Sequence, residues 1–282
     1  MSPYLRIIRR RLGRLFRRGQ NALLFPWANV VRKGNRPSCS SGQIRVGEVA
    51  LMKVQDGYSL KIHALRSEHP WIASLDETRK LPARGKTIHC AQTLQDIFAE
   101  SKSSLPEFLG LIDAPDWLHH IPPAHDFFPW DNLELREIRR YSCGFRHHDR
   151  QNHQPTHHSW PGYGPQSLKA CAKHAKRLLK LYRSLNRNGF RSNRRPDGVP
   201  EGVVLRDSCN NIRWITSGGN HRVTVAACLG FESVPIRVMS IVDVRDLADW
   251  PGVLTNLFTP SQARKVFEIF FAPAIPLLLT QA

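Results

Sequence analysis

The chain has 282 residues, an apolar content of 41%, and 41 Lys and Arg against 23 Asp and Glu, for a formal net charge of +18. This length and composition predict one or two domains, mostly globular and with a proper core, and not a small disulfide-stapled scaffold. Two blocks set the charge, +10 over residues 1–36 and +13 over residues 136–195, while the rest sums to −5. The partners this favours are anionic: a phosphorylated ligand, nucleic acid or an acidic membrane surface.

In chain order, residues 4–18 place Leu5, Ile8, Leu12, Leu15 and Phe16 at helical spacing, with seven arginines among them. The pattern predicts a basic amphipathic helix. It lacks the apolar core of a secretory signal. Residues 1–20 suit an anionic membrane surface, and a packed or solvated helix is the plainer alternative. The turn-rich stretch 33–43 reads as a linker, so residues 1–36 form a first, basic segment. Residues 37–134 are read as an accessory region. Within it, 48–65 alternates about Asp56-Gly57 and predicts a β-hairpin, with His63 as a packed or surface residue. Thr93–Phe98 and Leu105–Ile112 predict short helices, followed by a run rich in proline and aromatics that includes Phe128 and Trp130.

Residues 135–250 are read as the principal domain, and 251–282 as a C-terminal helical segment. Leu133–Tyr141 predicts a short helix or strand. The loop after it carries His147, His148, His153, His157 and His158 beside Asp149. Imidazole is a common metal ligand, but this spacing puts no three ligands on one rigid element, so no metal site is assigned. Ser167–Asn188 predicts a helix capped by Ser167 and stopped by Gly189. Its apolar stripe is Leu168, Cys171, Ala175, Leu178, Leu179 and Tyr182; Lys169, Lys173, Lys176, Arg177, Lys180 and Arg183 line the rest. Val203–Arg206 and Ile212–Ile215 predict a hairpin. Pro260–Phe271 predicts a helix, with Ala263, Val266, Phe267 and Phe270 at helical spacing. The apolar run 269–279 is broken by Pro273 and Pro276 and is too short to span a bilayer. Six scattered cysteines without a C-x-x-C fit reduced thiols in a cytoplasmic protein.

The strongest local signal is ITSGGNHRVTVAACLGFESVPIRV, residues 215–238. It reads as strand, glycine turn, short helix, glycine stop, strand. Gly218 and Gly219 tolerate positive φ and close approach of a ligand. Asn220 is expected to cap a helix beginning at His221, and Gly230 to end it. A helix N-terminus beside two glycines offers free N–H groups and the positive dipole end to an anion. Arg222 adds a fixed charged fork, and His221 a titratable donor. Gly218, Gly219, Asn220, His221 and Arg222 are therefore the candidate phosphate-binding residues, and a strand-to-helix turn of purely structural purpose is the alternative.

Gly219-Asn220-His221-Arg222, Ala226-Ala227, Leu229-Gly230 and Val234-Pro235 resemble the signature of the ParB/sulfiredoxin fold. Leu178–Phe190 resembles the helix that precedes this motif in ParB-like domains. The resemblance covers about residues 165–245, under a third of the chain. It implies an α/β (α+β) fold, a ParB/sulfiredoxin-like mixed sheet with flanking helices, here preceded by the accessory N-terminal region. It also implies a phosphate-binding turn that takes a nucleotide, ATP or CTP with Mg²⁺, with no tightly bound cofactor. Sulfiredoxins carry their catalytic cysteine where this chain has Asn220, which cannot form a thiolate. The partition proteins carry a second arginine at the position of His221, and no helix-turn-helix pattern follows Val238.

A phosphotransferase or nucleotide hydrolase needs a carboxylate to hold Mg²⁺ or orient a nucleophile. Glu201 and Asp207 before the motif, and Asp243, Asp246 and Asp249 after it, are the candidates; surface charge and helix capping are their plainer roles. Three functions stay open. The first is a nucleotide- or phosphate-binding protein, with or without turnover. The second is a non-specific nucleic-acid-binding protein that uses the basic blocks, among them Arg191, Arg194 and Arg195. The third is a peripheral membrane or interaction module with a vestigial site.

Overall fold

The computed structural model describes residues 44–60, 63–82, 84–99, 128–131, 166–190 and 199–272. The basic helix expected at 4–18, the linker at 33–43, the helix expected at 105–112, the histidine loop and the arginines at 191–195 lie outside them, as does the 133–141 segment.

The class is α+β, built on a mixed six-stranded sheet. Its strands are β1 (Val49–Lys53), β2 (Gly57–Ser59), β3 (His63–Ala64), β4 (Glu201–Arg206), β5 (Ile212–Gly218) and β6 (Ser233–Asp243). Their spatial order is β1-β6-β4-β5-β2-β3. The β6–β4 and β5–β2 pairs are parallel; the other three are antiparallel. The sheet thus draws strands from both sides of residue 135.

The expected hairpin between β4 and β5 is present, closed by a turn in which Asn210 has φ 62° and Asp207 Oδ1 accepts from Asn211 N at 2.7 Å. The hairpin expected about Asp56-Gly57 is not. β1 pairs with β6 and β2 with β5, on opposite sides of β4. A tight hairpin turn needs positive φ at its central residues, whereas Gly57 is extended at φ −104°, after a single 3₁₀ turn over Val54–Asp56. Gly57 is needed for space instead. A Cβ there would lie 2.2 Å from the indole of Trp214, which is fully buried and donates from Nε1 to Lys53 O at 2.8 Å.

Among the described residues six helices flank the sheet: α1 (Pro70–Arg79), α2 (Lys86–Ile97), α3 (Leu168–Asn188), α4 (Asn220–Cys228), α5 (Pro251–Leu254) and α6 (Pro260–Glu268). Successive strand residues point to opposite faces, and both faces are covered. Val204 and Trp214 join the core under α1–α4, while their neighbours Leu205 and Ile215 join a second core under α5, α6 and the Phe128–Trp130 segment. Phe128 and Trp130 stack with centroids 4.9 Å apart, and Trp130 meets Trp250 and Phe267 edge-on.

Local chemistry sets the helix limits. Ser167 Oγ caps α3 by accepting from Ala170 N, and Gly189 at φ 65° ends it. Cys171, Ala175, Leu178 and Leu179 are buried as the stripe predicts, but Leu168, in the first turn, is 42% exposed. Thr259 and Gln262 form a capping box at the start of α6. The short helix expected at Thr93–Phe98 is the C-terminal half of α2. No described helix is long and apolar enough to cross a membrane. The described cysteines, Cys90, Cys171, Cys209 and Cys228, are free thiols.

Candidate functional site

The glycine turn joins β5 to α4. Gly219 is the residue before the helix, in the left-handed region at φ 84°, and no side chain caps the helix. The first backbone bond runs from Arg222 N to Gly219 O at 2.8 Å. The N–H groups ahead of it, those of Asn220 and His221, come before the intrahelical ladder. A Cβ on Gly219 would fall 3.0 Å from that of Pro200, so the residue is constrained both in φ and in space.

Asn220 is therefore the first helical residue and not the expected cap. Its Oδ1 accepts from Ser59 Oγ at 3.0 Å and from Leu60 N at 3.1 Å. Ser59 Oγ also lies 3.3 Å from Thr224 Oγ1, and Ser59 and Thr224 are fully buried. The side chain that local rules assign to its own helix instead ties α4 to the turn between β2 and β3.

His221 faces the helical layer. Its ring stacks on Trp71 of α1, with centroids 4.1 Å apart, and its Nε2 lies 3.0 Å from His174 Nδ1 of α3. One ring donates and the other accepts, so the pair shares a single N–H between the two nitrogens. Burial, reinforced by His174 and Arg177, pushes the His221 pKa down to about 3. The imidazole is neutral at pH 7 and already partnered, so the expected titratable donor at the turn is absent; the backbone N–H of His221 is what remains for a ligand. Beside it, His69 Nδ1 accepts from Trp71 N at 3.1 Å, which puts its proton on Nε2. That Nε2 and the Nε1 of Trp71 are buried without a hydrogen-bond partner among the described residues. Orphaned buried donors cost about 1–3 kcal/mol each.

The five candidate carboxylates separate into two groups. Glu201 stands at the turn: it is opposite Gly218 in the β4–β5 register, and its Oε2 would lie 3.3 Å from a Cβ there. Arg237 is opposite Glu201 on β6, so Gly218, Glu201 and Arg237 form one row across three strands. Asp207 and Asp243 flank the other end of β4, about 16 Å away at 3.3 Å per residue. Asp207 closes the hairpin turn, and Asp243 is held below the ordinary carboxylate range, first by hydrogen bonds from Arg245. Asp246 and Asp249 lie in the 3₁₀ segment Val244–Asp249 beyond that same end.

Trp71, His174 and Arg237 are the neighbours of the turn that sequence reasoning did not select. Each comes from a separate element, and no spacing rule links them. The Pro70-Trp71 pair after His69 is a helix-start signal that could have marked α1. Among the described residues no group of three or more His, Cys, Asp or Glu side chains is placed to hold a metal ion. Burial pushes the Cys171 thiol up to about 11 and, with the Asp76 carboxylate, Cys228 up to about 12, so neither is a thiolate at neutral pH. Comparison of the chain with protein-family models, with curated proteins and with solved structures finds no match.

Proposed function

We propose that this protein binds a nucleotide or other phosphorylated ligand at the turn Gly218–Arg222, in a ParB/sulfiredoxin-like fold whose sheet also takes in β1–β3 from before residue 135. The observation that carries the reading is the uncapped N-terminus of α4 behind a left-handed glycine. Such an end presents N–H groups and a partial positive charge to an anion. The ligand contacts assigned are the N–H groups of Asn220 and His221 and the Arg222 guanidinium. Asn220 Oδ1 positions the turn, and the His174–His221 pair and Trp71 position the first turn of α4. ATP and CTP are the ligands that the family resemblance implies. Mg²⁺ binds through one or two carboxylates together with substrate phosphates, and Glu201 is the one candidate carboxylate at this end of β4. With the metal bound, phosphate charge is neutralised; Glu201 would hold the ion against the β5–α4 turn.

Calorimetric titration of ATP and CTP with Mg²⁺ tests this. Binding to the wild-type chain is expected, with a loss of at least about tenfold in Arg222→Ala, the scale of one charge-assisted hydrogen bond. Thermal melting of the variant controls for folding. A folded wild-type chain that binds neither nucleotide contradicts the reading.

A further inference from the structure

We propose that the exposed face of α3 docks duplex nucleic acid through its phosphates. The helix contains no acidic residue along its 21 positions. The six cations expected on its polar face are joined by Arg187, and all seven are exposed. At 100° per residue they fall within an arc of about 120°, and from Lys169 to Arg187 they run about 27 Å. The result is a straight single-sign stripe, not a scattered polar surface. Its cations are neighbours at i+3 or i+4 along the whole run, an arrangement that destabilises an isolated helix. Among the described residues no carboxylate pairs with any of them. The opposite face is buried against α2 and α4, so the stripe can turn only outward.

A linear run of cations without interleaved acids fits a linear polyanion of dense, regular charge. Duplex DNA carries one negative charge per about 1.7 Å of axis. The stripe contains no aromatic ring, which matches contact with the backbone and not base stacking. Binding is accordingly independent of sequence and steeply dependent on salt.

The test is fluorescence anisotropy of a 24-base-pair DNA duplex of arbitrary sequence with the full chain, across a salt series. The triple variant Lys173→Gln, Lys176→Gln, Lys180→Gln is compared with wild type. Glutamine keeps the helix propensity, and an unchanged melting temperature verifies folding. If that variant fails to fold, Lys169→Gln, Arg183→Gln, Arg187→Gln probes the same stripe. Removing three phosphate contacts is expected to flatten the slope of log K against log salt by about 3. A slope unchanged by either variant assigns binding to other basic segments and overturns the proposal. So does a wild-type chain that ignores the duplex at 50 mM salt, or one that binds phosphatidylserine-containing vesicles through these lysines and not the duplex. Nucleotide binding at the turn is read separately by Arg222→Ala, so either proposal can fail without the other.

Discussion

Gly219 shows how much one residue decides. Its φ of 84° is costly for any residue with a Cβ, by about 1–2 kcal/mol, and the added atom would also press on Pro200. Gly219→Ala is therefore expected to lower the unfolding free energy by at least about that amount, measured by urea denaturation. Equal stability of the variant would show that the turn relaxes into another conformation. The neighbouring residues behave differently. Asn220 has the chemistry of a cap, and its place before an apolar run makes the cap the natural local reading. Its oxygen is instead taken by Ser59 and Leu60, 161 and 160 positions away in the chain. His221 is drawn by Trp71 and His174 into the helical layer. Local rules identify the turn correctly but cannot see contacts of such sequence separation.

At the scale of elements, the meeting of β3, α1, α3 and α4 concentrates four histidines. Burial holds all of them below their ordinary value, His63 at about 4, His221 at about 3, with His69 and His174 also lowered. Lys173 and Arg177 on α3 add to the effect on His174, and His63 adds to that on His69. In the unfolded chain these rings protonate near 6.5. Below that pH the unfolded state binds more protons than the folded one, so the stability is fully present above about pH 6.5 and falls as the pH drops toward 4. The urea midpoint is expected to decline between pH 7.5 and 4.5, and His174→Gln with His221→Gln to shrink that decline. A midpoint level across this range would contradict the lowered values of these rings. Elements with one dominant signal were legible beforehand: α3 has a cap, a clean stripe and a glycine stop. α1 was not, because its buried residues mix Pro70, Trp71 and Leu75 with Ser74 and Thr78, and its cap is the imidazole of His69. A helix buried on more than one side loses the periodicity that identifies it.

For the whole molecule, the sheet order has the largest consequence. β1 completes one side of the β6–β4–β5 unit and β2 the other, while α1 and α2 cover α3 and α4. A chain beginning at residue 135 would leave both outer strands unpaired and expose Trp214, Leu178 and Val234. It is expected to lose cooperative unfolding and slow amide exchange. A truncated chain that retains both would show that residues from 135 onward fold alone.

Residue type and spacing by themselves determined the β4–β5 hairpin, the glycine turn into α4, the strand after Gly230, and the limits of α3. These depend on short-range causes: φ preferences, capping and periodicity within a few turns. Tertiary structure alone decided the rest. It split 48–65 between two sides of one sheet, because Gly57 serves the Trp214 indole and not a tight turn. It chose Glu201 from five carboxylates, because antiparallel register brings the start of β4 to the end of β5 and carries Asp207 and Asp243 to the far end. It also withdrew the His221 ring from the turn, because partners on α1 and α3 hold it neutral and half-buried. Each of these outcomes rests on pairings between distant segments, which periodicity within either segment does not encode.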